Sequence, residues 1–168
     1  MSAGLLNEYE TMLNLGLGAI ALSSFTKAFI AAKKEVDVPV TLWHLATVLP
    51  LVFHQTSRRA IAKRQVRSGL RSTLTRDPDN DIAQNEAIFN LTQRMKSSFP
   101  RTVRSLNCAV AWGLLQINDG NIVAGALSSP PHISGEAQEI VKASAKLGTW
   151  AGGLNSFEYF TVLGVDFN

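Results

Sequence analysis

The amino-acid sequence predicts a mainly α-helical fold that contains one short β-hairpin, and three observations carry this prediction. Apolar residues recur at helical spacing near the N-terminus, where Leu22 and Phe29 fall on one face. Residues 40–54 form an almost wholly apolar stretch without a full charge, a pattern typical of a helix buried on all sides. Two short runs rich in Leu, Ile and Val flank Asp119-Gly120, which is a strong signal for a hairpin turn.

The length of the chain bounds its domain organisation. Its 168 residues fit a single domain, residues 1–168, with a hydrophobic core of its own. A helix that leads directly into a hairpin is the arrangement of a winged helix, which we expect over residues 100–125, with the hairpin at about 114–125. The domain then consists of a helical core (14–98), this winged-helix-like part and a C-terminal helical segment (134–168).

The composition indicates a globular protein with an unusually small number of charges. Hydrophobic residues make up 46% of the chain, and charged residues make up 17%, below the roughly 25% of an average domain. Low charge combined with ample apolar content suggests that a partner covers part of the surface.

The first helices are delimited by caps and by one proline. Asn14 is a good N-cap for a helix that extends to about Lys34, and the residues before it form a lead-in. Thr41 is placed to cap the buried second helix. Pro50 lies inside that helix and should kink it or end its first part, because proline removes a backbone hydrogen bond.

The middle of the chain predicts shorter helices. Ser57 is a candidate N-cap for a third helix from Arg58 to about Gln65, and Ser68-Gly69 is a plausible break before a short helix or turn at residues 70–74. A further helix should run from residue 82 to about residue 98. Pro100 should then start the helix of the winged-helix-like part, because the missing N–H costs little in a first turn.

The C-terminal part carries clear capping signals. Trp112-Gly113 should end the helix before the hairpin. Ser134 can cap a helix over residues 135–150. Asn155 can cap the last short helix, with Glu158 at the capping-box position.

No catalytic constellation is recognisable in the sequence. No segment has the glycine, lysine and hydroxyl spacing of a phosphate-binding loop. His44 and His54 are not at the spacing that places two imidazoles on one metal, and Cys108 is the single cysteine. We therefore expect no enzyme activity, no catalytic residue, no cofactor and no metal. The single cysteine and the short apolar stretches favour a cytoplasmic protein without a membrane span.

The strongest candidate site is a basic segment that follows the apolar stretch. No acidic residue lies between Asp37 and Asp77. A solvated helix face is the simple interpretation, but basic residues without counter-charges favour an anion or an acidic partner, so we predict a docking surface for protein or DNA. Its side chains would share one stripe if the helix continued past Ser68. The predicted surface comprises Arg58, Arg59, Lys63, Arg64, Arg67 and Arg71.

Three aromatic residues near the C-terminus form a second candidate set. Trp150, Phe157 and Phe160 lie in short elements where a small domain offers little core. We predict that one or more of them packs across a subunit interface, since buried aromatic anchors contribute strongly to binding. Ordinary core packing is the alternative.

The layout of the whole chain resembles the middle-component family of three-component ABC systems. The resemblance lies in the NEYE motif of residues 7–10 followed by NLGLGAIAL at 14–22, in VLPLVFH at 48–54, in KASAKLGTW at 142–150, and in LGV at 163–165. These motifs occur in family order and are mostly core and cap residues. Leu15, where the family favours proline, and the density of arginines after His54 depart from the pattern.

This resemblance implies a role for the chain. Such proteins act with a structural-maintenance-type (SMC-like) ABC ATPase and an effector, often a nuclease, and are similar to subunits of the Lamassu anti-phage and anti-plasmid defence systems. The chain would be a non-catalytic adaptor subunit that helps keep the effector inactive until foreign DNA is sensed, with DNA contacted through the complex and no membrane involved.

A stand-alone winged-helix DNA-binding regulator is the alternative, and a small enzyme is a more distant one. The helix before the hairpin offers only Arg104, Ser105 and Asn107 as polar residues for base contacts.

Overall fold

The computed structural model describes residues 3–34, 38–74, 88, 90–127 and 132–167, with side chains except those of residues 3–13 and 72–74. Seven α-helices and a two-stranded antiparallel sheet form in these residues, which confirms the predicted mainly α-helical fold with one hairpin. The elements are α1 (Ala3–Ala32), α2 (Leu42–Val52), α3 (Gln55–Lys63), a 3-10 turn (Val66–Ser68), α4 (Gly69–Leu74), α5 (Leu91–Ala111), β1 (Leu115–Asn118), β2 (Asn121–Ala124), α6 (Gly135–Gly152) and α7 (Ser156–Val162).

Helix α2 lies at the centre of the core. Every residue from His44 to Val52 is buried, as expected for the apolar stretch. Thr41 is its N-cap and Pro50 lies inside it, two residues before its end. Helices α1, α5 and α6 surround it, and α3 continues from its C-terminal end.

Helices α1 and α6 pack so closely that glycine is required between them. A Cβ atom at Gly148 would collide with the backbone carbonyl of Phe25, and one at Gly152 would collide with the carbonyl of Phe29. The stretch Asn14–Ala32 of α1 is long and apolar enough to cross a membrane by length and composition alone. Half of that stretch is buried inside the fold, as in the core helix of a soluble protein.

The hairpin follows α5 as predicted. Its register pairs Leu115 with Ala124 and Asn118 with Asn121. Asp119 and Gly120 have φ angles of 50° and 78°, so both turn residues are left-handed, as a two-residue type I′ turn requires. The backbone N–H of Ile122 donates to the carbonyl of Val40, which ties the hairpin to the segment before α2.

Two predicted helix starts were wrong. Helix α1 begins at Ala3 rather than after Asn14, so the predicted lead-in is helical. The N-cap of α3 is His54 rather than Ser57: the imidazole Nδ1 accepts a hydrogen bond from the backbone N–H of Ser57. A side chain other than the usual serine, threonine, asparagine or aspartate therefore fulfils the capping role.

The predicted helix boundary at Pro100 was also wrong. Helix α5 continues through Pro100 from Leu91 to Ala111. Pro100 and Lys96, whose carbonyl loses its partner, both lie on the exposed side, so that carbonyl can turn towards water. The predicted start of a helix at residue 82 lies outside the described residues.

We predict that Gly148→Ala destabilises the protein. Alanine favours a helix over glycine by about 1 kcal/mol, but here its methyl group would push α1 and α6 apart, at a cost of about 1–3 kcal/mol. Gly153→Ala is the control, because the nearest atom to its Cβ would be 3.5 Å away. Urea unfolding should place the Gly148→Ala midpoint below those of the parent and the control. An equal or higher midpoint would show that the helices are not in close contact.

Candidate docking surfaces

Two arginines cap the C-terminal end of α2 from inside the protein. The last carbonyls of any helix have no partner within it and carry the negative end of the helix dipole. The Arg58 guanidinium donates to the carbonyl of Val52 at 3.0 Å, and that of Arg94 donates to the carbonyl of Pro50 at 2.9 Å. Arg58 is only 4% exposed, and burial lowers the pKa of Arg94. Both charges therefore stabilise the helix end.

Arg58 also joins α3 to α6. Its second guanidinium nitrogen donates to the Glu136 carboxylate at 2.6 Å, and its Nε lies 3.9 Å from an oxygen of Glu139. The prediction that Arg58 belongs to an exposed basic surface was wrong. Its guanidinium group is hydrogen-bonded to the carbonyl of Val52 and paired with the carboxylates of Glu136 and Glu139.

The expected basic stripe on one helix does not form. Helix α3 ends at Lys63, and Arg64 has an extended backbone. The ammonium group of Lys146 donates to the carbonyls of Ile61, Ala62 and Arg64 at 2.9–3.1 Å, which closes the end of α3. The remaining basic residues are consequently distributed over α3, the 3-10 turn and α4.

The exposed cations Arg59 and Lys63 lie in a groove of about 580 Å³ between α3 and α6. Lys142, which the sequence analysis did not single out, lies in the same groove on α6 and is exposed. We call the groove lined by Arg59, Lys63 and Lys142 the basic groove. Lys142 lies three or four residues from Glu139 and Lys146 and so shares their face of α6, but only the packing of α6 against α3 places that face in the groove.

The other predicted basic residues lie outside the groove, and Arg71 contacts α7. Arg64 is half-buried, whereas Arg67 and Arg71 are exposed. A guanidinium nitrogen of Arg71 lies 3.5 Å from a carboxylate oxygen of Glu158. Glu158 directly follows Phe157 in the chain. The structure thus places Arg71, from the predicted basic surface, close to the helix that carries Phe157, from the predicted interface aromatics.

Of the three predicted interface aromatics, one is strongly exposed. Trp150 is 5% exposed, and its indole N–H donates to the carbonyl of Val66 at 2.9 Å, which holds the 3-10 turn. Phe160 is half-buried, with its ring centroid 5.1 Å from that of His44. Phe157 is 80% exposed. Trp150 is packed within the chain, and the interface hypothesis stays a prediction for the half-buried Phe160 and the exposed Phe157.

A buried polar cluster attaches α7 to α2. The Tyr159 hydroxyl and the Thr47 hydroxyl are 2.7 Å apart, and burial raises the pKa of Tyr159. The Nδ1 atom of His44 accepts a hydrogen bond from the Thr41 backbone N–H, and burial lowers the pKa of His44 to about 4. His44 is therefore a neutral core histidine at physiological pH, held in the tautomer that leaves Nδ1 as acceptor.

An aromatic surface that the sequence did not reveal lies next to this cluster. Trp43 is 52% exposed, and its ring centroid is 6.1 Å from that of Phe99 and 5.4 Å from that of Phe167. With Met95 and Val165, these rings line a cavity of about 330 Å³. We call Trp43, Phe99 and Phe167 the aromatic surface. Its residues come from α2, α5 and the C-terminal tail, so no local pattern could indicate it.

The part of the chain that the structure describes contains no cluster of candidate metal ligands. No group of three histidine, cysteine, aspartate or glutamate residues there lies close enough together to hold an ion.

Comparison with known proteins identifies a family. The family model described as ABC-three component (ABC-3C) system Middle Component 3 matches residues 2–167. No curated protein and no solved structure is significantly similar to the chain.

We predict that Arg58→Gln lowers the free energy of unfolding by about 2 kcal/mol, because it leaves a buried helix-end carbonyl without its charged donor. Arg59→Gln is the matched control: the neighbouring side chain is exposed, and its loss should change stability by no more than about 0.5 kcal/mol. Urea unfolding of both variants measures the difference. Equal stability of the two variants would refute the capping role of Arg58.

Proposed function

The chain belongs to the middle component 3 family of ABC-three component systems, and we propose that it acts there as a non-catalytic adaptor between an SMC-like ABC ATPase and an effector. The family match covers 2–167, almost the whole chain, and agrees with the resemblance found in the sequence. A middle component works with the other components of its system, so its surfaces are where its function is to be sought.

The presence of two separate candidate surfaces is the observation that carries the proposal. An adaptor must contact two partners at once, and the basic groove and the aromatic surface have no residue in common. The aromatic surface adjoins the N-terminal half of α2 through Trp43. The basic groove lies beyond the C-terminal end of α2, where Arg58 binds the carbonyl of Val52.

Exposed apolar groups on the aromatic surface favour a protein partner there. Trp43 and Phe167 are each more than half exposed, and aromatic side chains of this kind are enriched at the centres of protein interfaces. Phe157, with 80% exposure, adds a further apolar group next to Glu158, which Arg71 contacts. We assign the exposed cations Arg59, Lys63, Arg67 and Arg71, together with the half-buried Arg64, to docking on an acidic protein face.

In this proposal the other subunits hydrolyse ATP and cleave the target. The adaptor transmits the state of the ATPase to the effector, which stays inactive until foreign DNA is sensed, as in the Lamassu-like defence systems that the sequence resembles. The assembly acts in the cytoplasm and contacts DNA through the complex.

A stand-alone DNA-binding regulator is the second candidate, favoured by the passage of α5 directly into the hairpin. On the helix that would enter the major groove, Arg104 and Asn107 are exposed, but Ser105 is fully buried and faces Gly18 of α1. Few side chains that could contact base edges therefore remain on this helix, and most of the clustered basic residues lie on α3, the 3-10 turn and α4.

Purification of the tagged protein from its native host, after nuclease treatment of the extract, tests the adaptor. We expect an SMC-like ATPase and a second component to co-purify with it, because their contacts do not depend on DNA. Recovery of the chain as a lone dimer that binds duplex DNA would instead establish the regulator.

The same purification tests Phe157. Phe157→Ala should leave the stability of the isolated subunit within about 0.5 kcal/mol of the parent, because the side chain is exposed, but should reduce capture of one component. Thr161→Ala, an exposed position on the same helix, is the control and should change neither. Normal capture by Phe157→Ala would remove this residue from the interface.

A further inference from the structure

We propose that the basic groove binds an acidic protein segment, with Lys142 as a contact residue beside Arg59 and Lys63. This inference rests on the adaptor function, and it names the chemistry of one partner. It concerns the groove between α3 and α6 and no other surface.

The cations of the groove fall into two classes. Arg58 and Lys146 line it, but their polar atoms are engaged by backbone carbonyls of the chain itself. The side chains of Arg59, Lys63 and Lys142 form no ion pair with any part of the chain that the structure describes. These three charges are therefore open to an external anion.

The shape of the groove admits a polypeptide segment. Its volume is about 580 Å³, and the small side chains Ala62 and Ala143 lie among the longer ones that line it. The aliphatic stems of Lys63 and Lys142 can pack along an inserted segment while their ammonium groups reach its carboxylates. An amphipathic helix with carboxylates one turn apart would fit this arrangement.

The acidic end of the groove argues against a nucleic-acid backbone. Glu136 and Glu139 flank Arg58 at the start of α6, and their side chains are 71% and 69% exposed. Phosphates that followed the groove would meet these carboxylates, whereas nucleic-acid surfaces present an uninterrupted basic track. A protein segment can match both signs, with carboxylates opposite the three cations and a lysine or arginine opposite the two glutamates. Such a pattern also fixes the direction of the segment.

Zero-length carbodiimide crosslinking of the unmodified native complex tests the contact directly. The reagent joins an amine to a carboxylate only where the two already touch. We expect mass spectrometry to find Lys63 and Lys142 joined to aspartate or glutamate residues of one segment in another component. Lys34, which is exposed at the end of α1, is the internal control and should not join that segment. Absence of such links in a complex that does assemble would overturn the proposal.

A charge-reversed pair provides the second test. Lys63→Glu with Lys142→Glu should weaken binding of one purified component about tenfold or more, because two attractions become repulsions. Lys34→Glu with Arg104→Glu changes the net charge equally at exposed positions outside the groove and should bind like the parent. Thermal unfolding checks that both double variants are folded. The crosslinking experiment uses the unmodified chain, so its result does not depend on either variant.

The outcomes separate the proposal from the adaptor function. If the parent chain captures no component, the adaptor function itself fails. If the parent chain assembles and the Lys63→Glu, Lys142→Glu double variant assembles equally well, only the inference about the groove fails. If the groove double assembles but its complex binds DNA less tightly, with the slope of log affinity against log salt flatter by about 2, then the groove contacts phosphates instead.

Discussion

The buried Arg58 and the half-buried Arg94 cap the C-terminal end of α2, and these contacts tie the central helix to its neighbours. Helix α2 is buried along nine residues, so its last carbonyls cannot turn to water and must be satisfied by the protein. Arg58 and Arg94 supply the donors, from α3 and α5 respectively. Because Arg58 also binds Glu136, the same contact fixes α6 against α3. The basic groove lies between those two helices, beside this contact.

This constraint separates two uses of positive charge around α3. Some cations cap helix ends, as the buried Arg58 does for α2 and the half-buried Lys146 does for α3. Exposed cations such as Lys63 have no such task within the described residues and remain available to a partner. The arginines after His54 thus contribute to folding through Arg58, and the exposed ones belong to the proposed docking surfaces. The net charge of +3 alone would not have indicated either role.

Local signals made part of the fold predictable. The turn at Asp119-Gly120 and the cap at Asn155 are set by neighbouring backbone groups, and both predictions are confirmed. Predictions that depended on distant contacts were less successful. Whether Pro100 interrupts a helix depends on which side faces water, and whether Arg58 is exposed depends on helix ends and carboxylates far along the chain. The aromatic surface unites three separate elements, so no single stretch of sequence could disclose it.

If the cations left exposed beside the capped end of α2 contact a partner, amine footprinting should detect that contact. The free chain and the assembled complex are labelled with an acylating reagent, and the extent of modification is read by mass spectrometry. The amines of Lys63 and Lys142 should become less reactive towards the reagent on assembly, whereas the amine of Lys34 should keep its reactivity. Lys146, with three hydrogen bonds to carbonyls, should react slowly in both states. Equal reactivity of Lys63 and Lys142 in the free and assembled states would show that these cations do not contact a partner.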